Sequence, residues 1–72
     1  MTITKTPEEM FEVVNSLVEL RSTVYAAERI GVDPSQFRQE LRRKIFSWRV
    51  CKFFGYERKK EGKGFIYIKE VE

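Results

Sequence analysis

Histidine is absent from the sequence, and cysteine occurs once, at position 51. Together these facts remove a large part of enzyme chemistry. No Ser-His or Cys-His pair can form, and no imidazole titrates near neutral pH. A zinc site of the usual kind lacks its ligands, so no metal is expected. A single cysteine closes no internal disulfide, and Cys51 reads as a small buried apolar residue in a reducing cytosol. The stretch "EGKG" at 61–64 has the wrong spacing for a phosphate-binding loop. No apolar run approaches eighteen residues, and "MTITKTPEEM" lacks the charged-then-apolar layout of a secretion signal. The eleven carboxylates are most simply surface charges. The expectation is a cytoplasmic, non-catalytic chain with no cofactor, no membrane contact and no small-molecule substrate.

The 72 residues make one small domain (1–72, core about 6–71). A chain of this size buries only about 60% of its unfolded surface. With 42% hydrophobic and 14% aromatic residues there is nevertheless material for a core, and global disorder is not expected. The net charge of +3 is unevenly placed. Residues 1–33 carry three bases against six acids, net −3, whereas residues 34–72 carry eleven against five, net +6. A polyanionic partner docking on one side is the reading this asymmetry supports.

Both prolines fall in helix-start signatures. "TPEE" at 6–9 puts Thr6 at an N-cap, Pro7 at the first helical position and Glu9 where a capping box needs it. "DPSQ" at 33–36 repeats the grammar with Asp33, Pro34 and Gln36. The first helix is expected over 7–20, with Met10, Val13, Val14, Leu17 and Leu20 at helical spacing and Phe11 and Val18 widening the stripe. A second is expected over 23–30, capped by Ser22 or Thr23 and ended by Gly31. A third is expected over 34–50. At 100° per residue, Phe37, Leu41, Ile45, Trp48 and Cys51 share one arc, while Ser35, Arg38, Gln39, Arg42 and Arg49 share the opposite one. Phe37, Leu41 and Trp48 are therefore expected in the core. Phe46 falls on the basic side, where the helix bends or ends. Past Gly55 the period changes, and a hairpin near 56–71 is expected, with strands at Tyr56–Lys59 and Phe65–Val71 around a glycine-containing loop.

In "AAERIGVDPSQFRQEL", Ala27 permits close approach of two helices, Gly31 makes the turn, Val32 plugs it, and Phe37 and Leu41 anchor the next helix. This resembles a helix-turn-helix. With a helix before and a hairpin after, residues 6–71 resemble a winged helix-turn-helix domain of the small prokaryotic, phage or archaeal-virus type. The stretch "FFGYERKKEGKGFIYI" adds to the likeness, since a Gly-aromatic pair precedes a basic strand there. One departure is Glu40, where many members carry an apolar residue.

The resemblance implies an α+β fold whose third helix lies in the major groove and whose hairpin wing touches the backbone. The side chains suit that task. Arg38, Gln39 and Arg42 are of the types that match guanine and adenine edges. Ser35, Arg49, Arg58, Lys59, Lys60 and Lys63 are placed to meet the DNA backbone. Sequence-specific binding of double-stranded DNA is the expected function, by a transcriptional regulator or an excisionase-like architectural factor. A homodimer is also expected, with Phe11, Val18 and Phe46 as contacts, because the apolar stripe of the first helix covers half its circumference.

Each reading has a plainer rival. An arginine-rich helix face is also what a merely solvated helix presents, with Glu40 and Lys44 as a supporting pair. A lysine-rich hairpin also guards a sheet edge against aggregation. The rival function is a winged-helix adaptor that binds a transcription or replication protein, and RNA binding ranks third. What favours DNA is that both basic clusters fall on the two elements such a fold presents to it.

Overall fold

In the computed structural model, which describes residues 1–71, the element order is β1 (Thr2–Lys5), α1 (Pro7–Leu20), α2 (Thr23–Ile30), α3 (Pro34–Arg43), α4 (Trp48–Phe53), β2 (Glu57–Glu61) and β3 (Gly64–Glu70). The architecture is α+β: four helices packed on a three-stranded antiparallel sheet of order β1-β3-β2.

The first two helices run as the sequence predicts. The Thr6 hydroxyl accepts the Glu9 N–H at 3.2 Å, and the Glu9 carboxylate accepts the Thr6 N–H at 3.0 Å, closing the capping box. Those hydrogen bonds from Thr6, backbone first, lower the Glu9 carboxyl below its ordinary range. Ser22 caps α2 through the Tyr25 N–H at 3.0 Å. Gly31 ends α2 at φ 90°, where glycine escapes the steric penalty on Cβ. Asp33 caps α3 through the Gln36 N–H at 3.1 Å.

The third helix departs from expectation. It does not run to residue 50 but stops at Arg43, and Lys44 takes the left-handed conformation at φ 58°. A short α4 follows with its phase reset, burying Val50 and Cys51. The reason is Phe46. On a continuous helix it would share the basic face; the break swings it into the core, where it is fully buried. A left-handed non-glycine residue costs about 1–2 kcal/mol, and burying a phenylalanine returns about 1.5–3 kcal/mol. The chain also recovers hydrogen bonds there. The Phe46 N–H donates to the Tyr67 hydroxyl at 3.1 Å, which in turn donates to the Lys44 carbonyl at 3.3 Å.

The reset also moves Trp48 and Ile45. Expected in the core, Trp48 is 66% exposed and Ile45 41% exposed. Leu41 is half-buried against the core rather than at its centre. The core comprises Met10, Val14, Ala26, Ala27, Phe37, Phe46, Val50, Cys51 and Tyr67. Phe11 and Val18, expected as partner contacts, pack half-buried against it. The stripe of α1 is thus largely used within the domain.

The expected hairpin forms, but β2 extends to Glu61 and β3 starts at Gly64, so the loop is only Gly62-Lys63, with Gly62 at φ 60°. The sequence reading missed β1, which pairs Thr2 with Glu70 and Lys5 with Tyr67 and makes β3 the central strand. Among the described residues, no helix is long and apolar enough to cross a membrane.

Candidate nucleic-acid interface

Ten residues of α3 divide sharply. Phe37 and Glu40 are buried, whereas Ser35, Gln36, Arg38, Gln39, Arg42 and Arg43 are exposed. The helix has one acid, and that acid is 95% withdrawn from solvent. Its outer surface is therefore three arginines, two glutamines and a serine. Arg38, Gln39, Arg42 and Ser35 stand on that surface as the sequence predicts. Gln36, in the first turn, and Arg43, in the last, are exposed there as well.

Glu40 is not the partner of Lys44 that helical spacing suggested. Lys44 instead lays its ammonium over the Phe11 ring, 5.7 Å from the centroid. The Glu40 carboxylate turns inward, and its Oε1 accepts the Ser47 N–H at 2.6 Å. That bond anchors the start of α4, where the Ser47 side chain makes no capping hydrogen bond. Oε2 of the same carboxylate is buried and accepts from no protein group among the described residues.

Two residues expected on the DNA backbone, both exposed, also hydrogen-bond within the fold. Arg49 donates from Nη1 to the Gly31 carbonyl at 3.4 Å, tying α4 to the turn before α3. Arg58 donates to the Phe46 carbonyl at 3.1 Å and stacks over Phe65 at 4.7 Å. Both contacts hold the segment after α3 in place. Phe46, expected at a partner surface, is core and unavailable to one.

Register distributes the hairpin cations. Residues directly opposite across antiparallel strands share a face. Arg58 faces Tyr67 and Lys60 faces Phe65, so both lie on the helix side of the sheet. Lys59 pairs with Ile66 on the other side, and Lys63 sits at the tip. Glu57 and Glu61 flank them on β2. The structure thus brings Lys60 and Arg58 to the side that carries α3, and does not bring Lys59 there.

A cavity of about 180 Å³ joins the two elements, lined from α3 by Gln36, Gln39, Glu40 and Arg43 and from β2 by Arg58, with Ile45 and Ser47 closing it. Elsewhere, burial raises the Cys51 thiol to about 11, with Arg58 opposing and Glu40 reinforcing the shift. A thiol held protonated in this way is a packing group, not a nucleophile. Among the described residues, no group of three or more acidic or cysteine side chains is arranged to hold a metal ion. Comparison with known proteins adds no assignment: no family model, no curated protein and no solved structure matches the chain.

Proposed function

We propose that the protein is a winged helix-turn-helix domain that binds double-stranded DNA, as a transcriptional regulator or an architectural factor. In this reading α3 enters the major groove and the β2–β3 hairpin rests on the adjacent backbone. The observation that carries it is the inward turn of Glu40. By burying its one acid, α3 presents a face of Arg38, Gln39, Arg42 and Arg43 with no negative charge to repel phosphate. Arginine and glutamine are also the side chains that reach guanine and adenine edges in pairs of hydrogen bonds. Lys60 and Lys63 supply phosphate contacts, and no reaction is assigned to the domain.

Titration of the protein with duplex DNA over a salt series tests the reading. Affinity should fall steeply with salt, each neutralised phosphate adding about 0.9 to the log–log slope. Salt-independent affinity, or no binding at moderate salt, sinks it.

A second reading, an adaptor or self-associating domain, is favoured by one observation. Trp48 and Phe53 are 66% and 42% exposed on α4, and they line one surface hollow with Ile30, Arg49 and Lys52. This patch replaces Phe46 and the α1 stripe as the contact surface for a homodimer or a protein partner. Trp48→Ala should leave DNA binding unchanged and abolish any association seen in sedimentation.

A further inference from the structure

Among the described residues, six large apolar side chains stand in solvent: Met1, Leu20, Val24, Ile45, Trp48 and Phe53. Four of them fall in two places. Trp48 and Phe53 lie on α4, at the hollow that Ile30, Arg49 and Lys52 complete. Leu20, 70% exposed, ends α1, and Val24, 41% exposed, stands in the first turn of α2. Single exposed apolar residues are ordinary, but groups of them rimmed by charge mark contact surfaces.

The two places carry opposite charge. α1 holds four acids, Glu8, Glu9, Glu12 and Glu19, and no lysine or arginine, and all four acids are exposed. Glu12, Ser16 and Leu20, four residues apart, line one exposed stripe of that helix. Glu28 is exposed one turn beyond Val24 on α2. The base at this corner, Arg21, lies over the Tyr25 ring, 5.5 Å from its centroid. α4 is the reverse, with Arg49 and Lys52 exposed and no acid. The Lys52 ammonium sits 4.7 Å from the Trp48 ring centroid, so cation and indole form one surface. α2 packs on both α1 and α4, and those two make no comparable contact with each other. Neither patch covers the other within one chain.

We propose that the basic-aromatic patch on α4 of one copy docks on the acidic, Leu20-bearing end of α1 in a second copy. The inference rests on the self-association reading of α4 above, does not depend on DNA, and names the surface that α4 meets. Charge selects this pairing. α4 against α4 would set Arg49 and Lys52 against their own copies, and α1 against α1 would oppose four carboxylates with four. Like charges juxtaposed across an interface are penalised, whereas α4 against α1 brings opposite signs together around apolar anchors. The contact is therefore head-to-tail. A pair leaves one patch of each kind free, so further copies extend it into a ring or an open chain. No residue of α3 belongs to either patch. Exposed charges and few apolar anchors make the contact weak and sensitive to salt.

Sedimentation velocity of the full chain over a concentration series, at low and high salt, tests the pairing. Two variants alter one patch each at an exposed position: Trp48→Ala on α4 and Leu20→Lys on α1. Their thermal unfolding should match wild type. Wild type should associate past the dimer at low salt and dissociate at high salt. Each variant alone should associate about tenfold or more weakly. An equimolar mixture of the two should regain association but stop at the dimer, since it retains one intact α4 patch and one intact α1 patch. Association of Leu20→Lys at the wild-type level, with Trp48→Ala monomeric, overturns the inference while leaving self-association through α4 standing. A mixture no better than either variant alone overturns it in the same way. A wild type that stays monomeric at high micromolar concentration overturns the inference and self-association together, and gives the α4 patch to a different protein.

Discussion

The Phe46 ring stands edge-on to that of Tyr67, centroids 5.9 Å apart and planes at 63°, while the Tyr67 hydroxyl accepts the backbone N–H of Phe46 itself. One residue of the central strand thereby holds both the side chain and the backbone of the segment that follows α3. The end of α3 and the base of the hairpin are fixed by the same contact.

Removing that hydroxyl isolates its contribution. Tyr67→Phe keeps the ring but leaves the buried Phe46 N–H unpaired, and the expected loss is about 1–3 kcal/mol. Phe46→Ala should cost about 3–5 kcal/mol, since it empties a core position. Trp48→Ala, at an exposed site, should change stability by less than about 0.5 kcal/mol. Urea unfolding of the three variants gives the order directly. A Trp48 loss equal to that of Phe46 would mean that the helix runs on past Lys44.

Stability should also fall at alkaline pH. The Cys51 thiol ionises near 9 when exposed and near 11 in the fold, because burial disfavours the thiolate. Burial raises the Tyr67 phenol in the same direction. Between the unfolded and folded values the unfolded chain binds fewer protons than the native one, so the free energy of unfolding decreases as pH rises. Unfolding free energies from pH 8 to 11 should slope downward from about pH 9, and Cys51→Ala should flatten the early part. A flat profile in the wild type would show that the thiol is not desolvated.

Much of the helical layout was legible because its signals are local. Thr6-Pro7, Ser22, Gly31 and Asp33-Pro34 mark their boundaries through hydrogen bonds to residues three or four away. The end of α3 carries no such mark. Lysine seldom takes positive φ, and Lys44 does so because Phe46 and Tyr67, 21 positions apart, pair in the core. The burial of Glu40 depends likewise on Ser47 after that break, so helical spacing alone assigned Glu40 to Lys44. The alternating "TIT" of β1 was a visible strand signal, but its partner lies some seventy residues away on β3. The exposed arginines of α3 were readable from helical phase. The hydrogen bonds of Arg49 and Arg58 were not, because the carbonyls that accept them belong to distant segments.

The roles of the basic residues separate in a single set of binding measurements. Arg42 is exposed on the outer face of α3; under the proposed DNA binding, Arg42→Ala should cost about 1–3 kcal/mol on a preferred duplex and far less on random sequence. Lys60 lies on the helix side of the hairpin; under the same proposal, Lys60→Ala should weaken all duplexes alike and lower the salt slope by about one unit. Lys59 pairs with Ile66 on the opposite face, so Lys59→Ala should leave the slope nearly unchanged. Arg58 donates to the Phe46 carbonyl, so Arg58→Ala should lower thermal stability in the absence of DNA, where Lys60→Ala does not. The measurement is affinity for specific and random duplexes across a salt series, with unfolding curves for each variant. Equal slope changes for Lys59 and Lys60 would mean that the whole hairpin tip, rather than its helix-side face, meets the backbone. If no variant alters duplex binding, the exposed Trp48 and Phe53 patch becomes the functional surface.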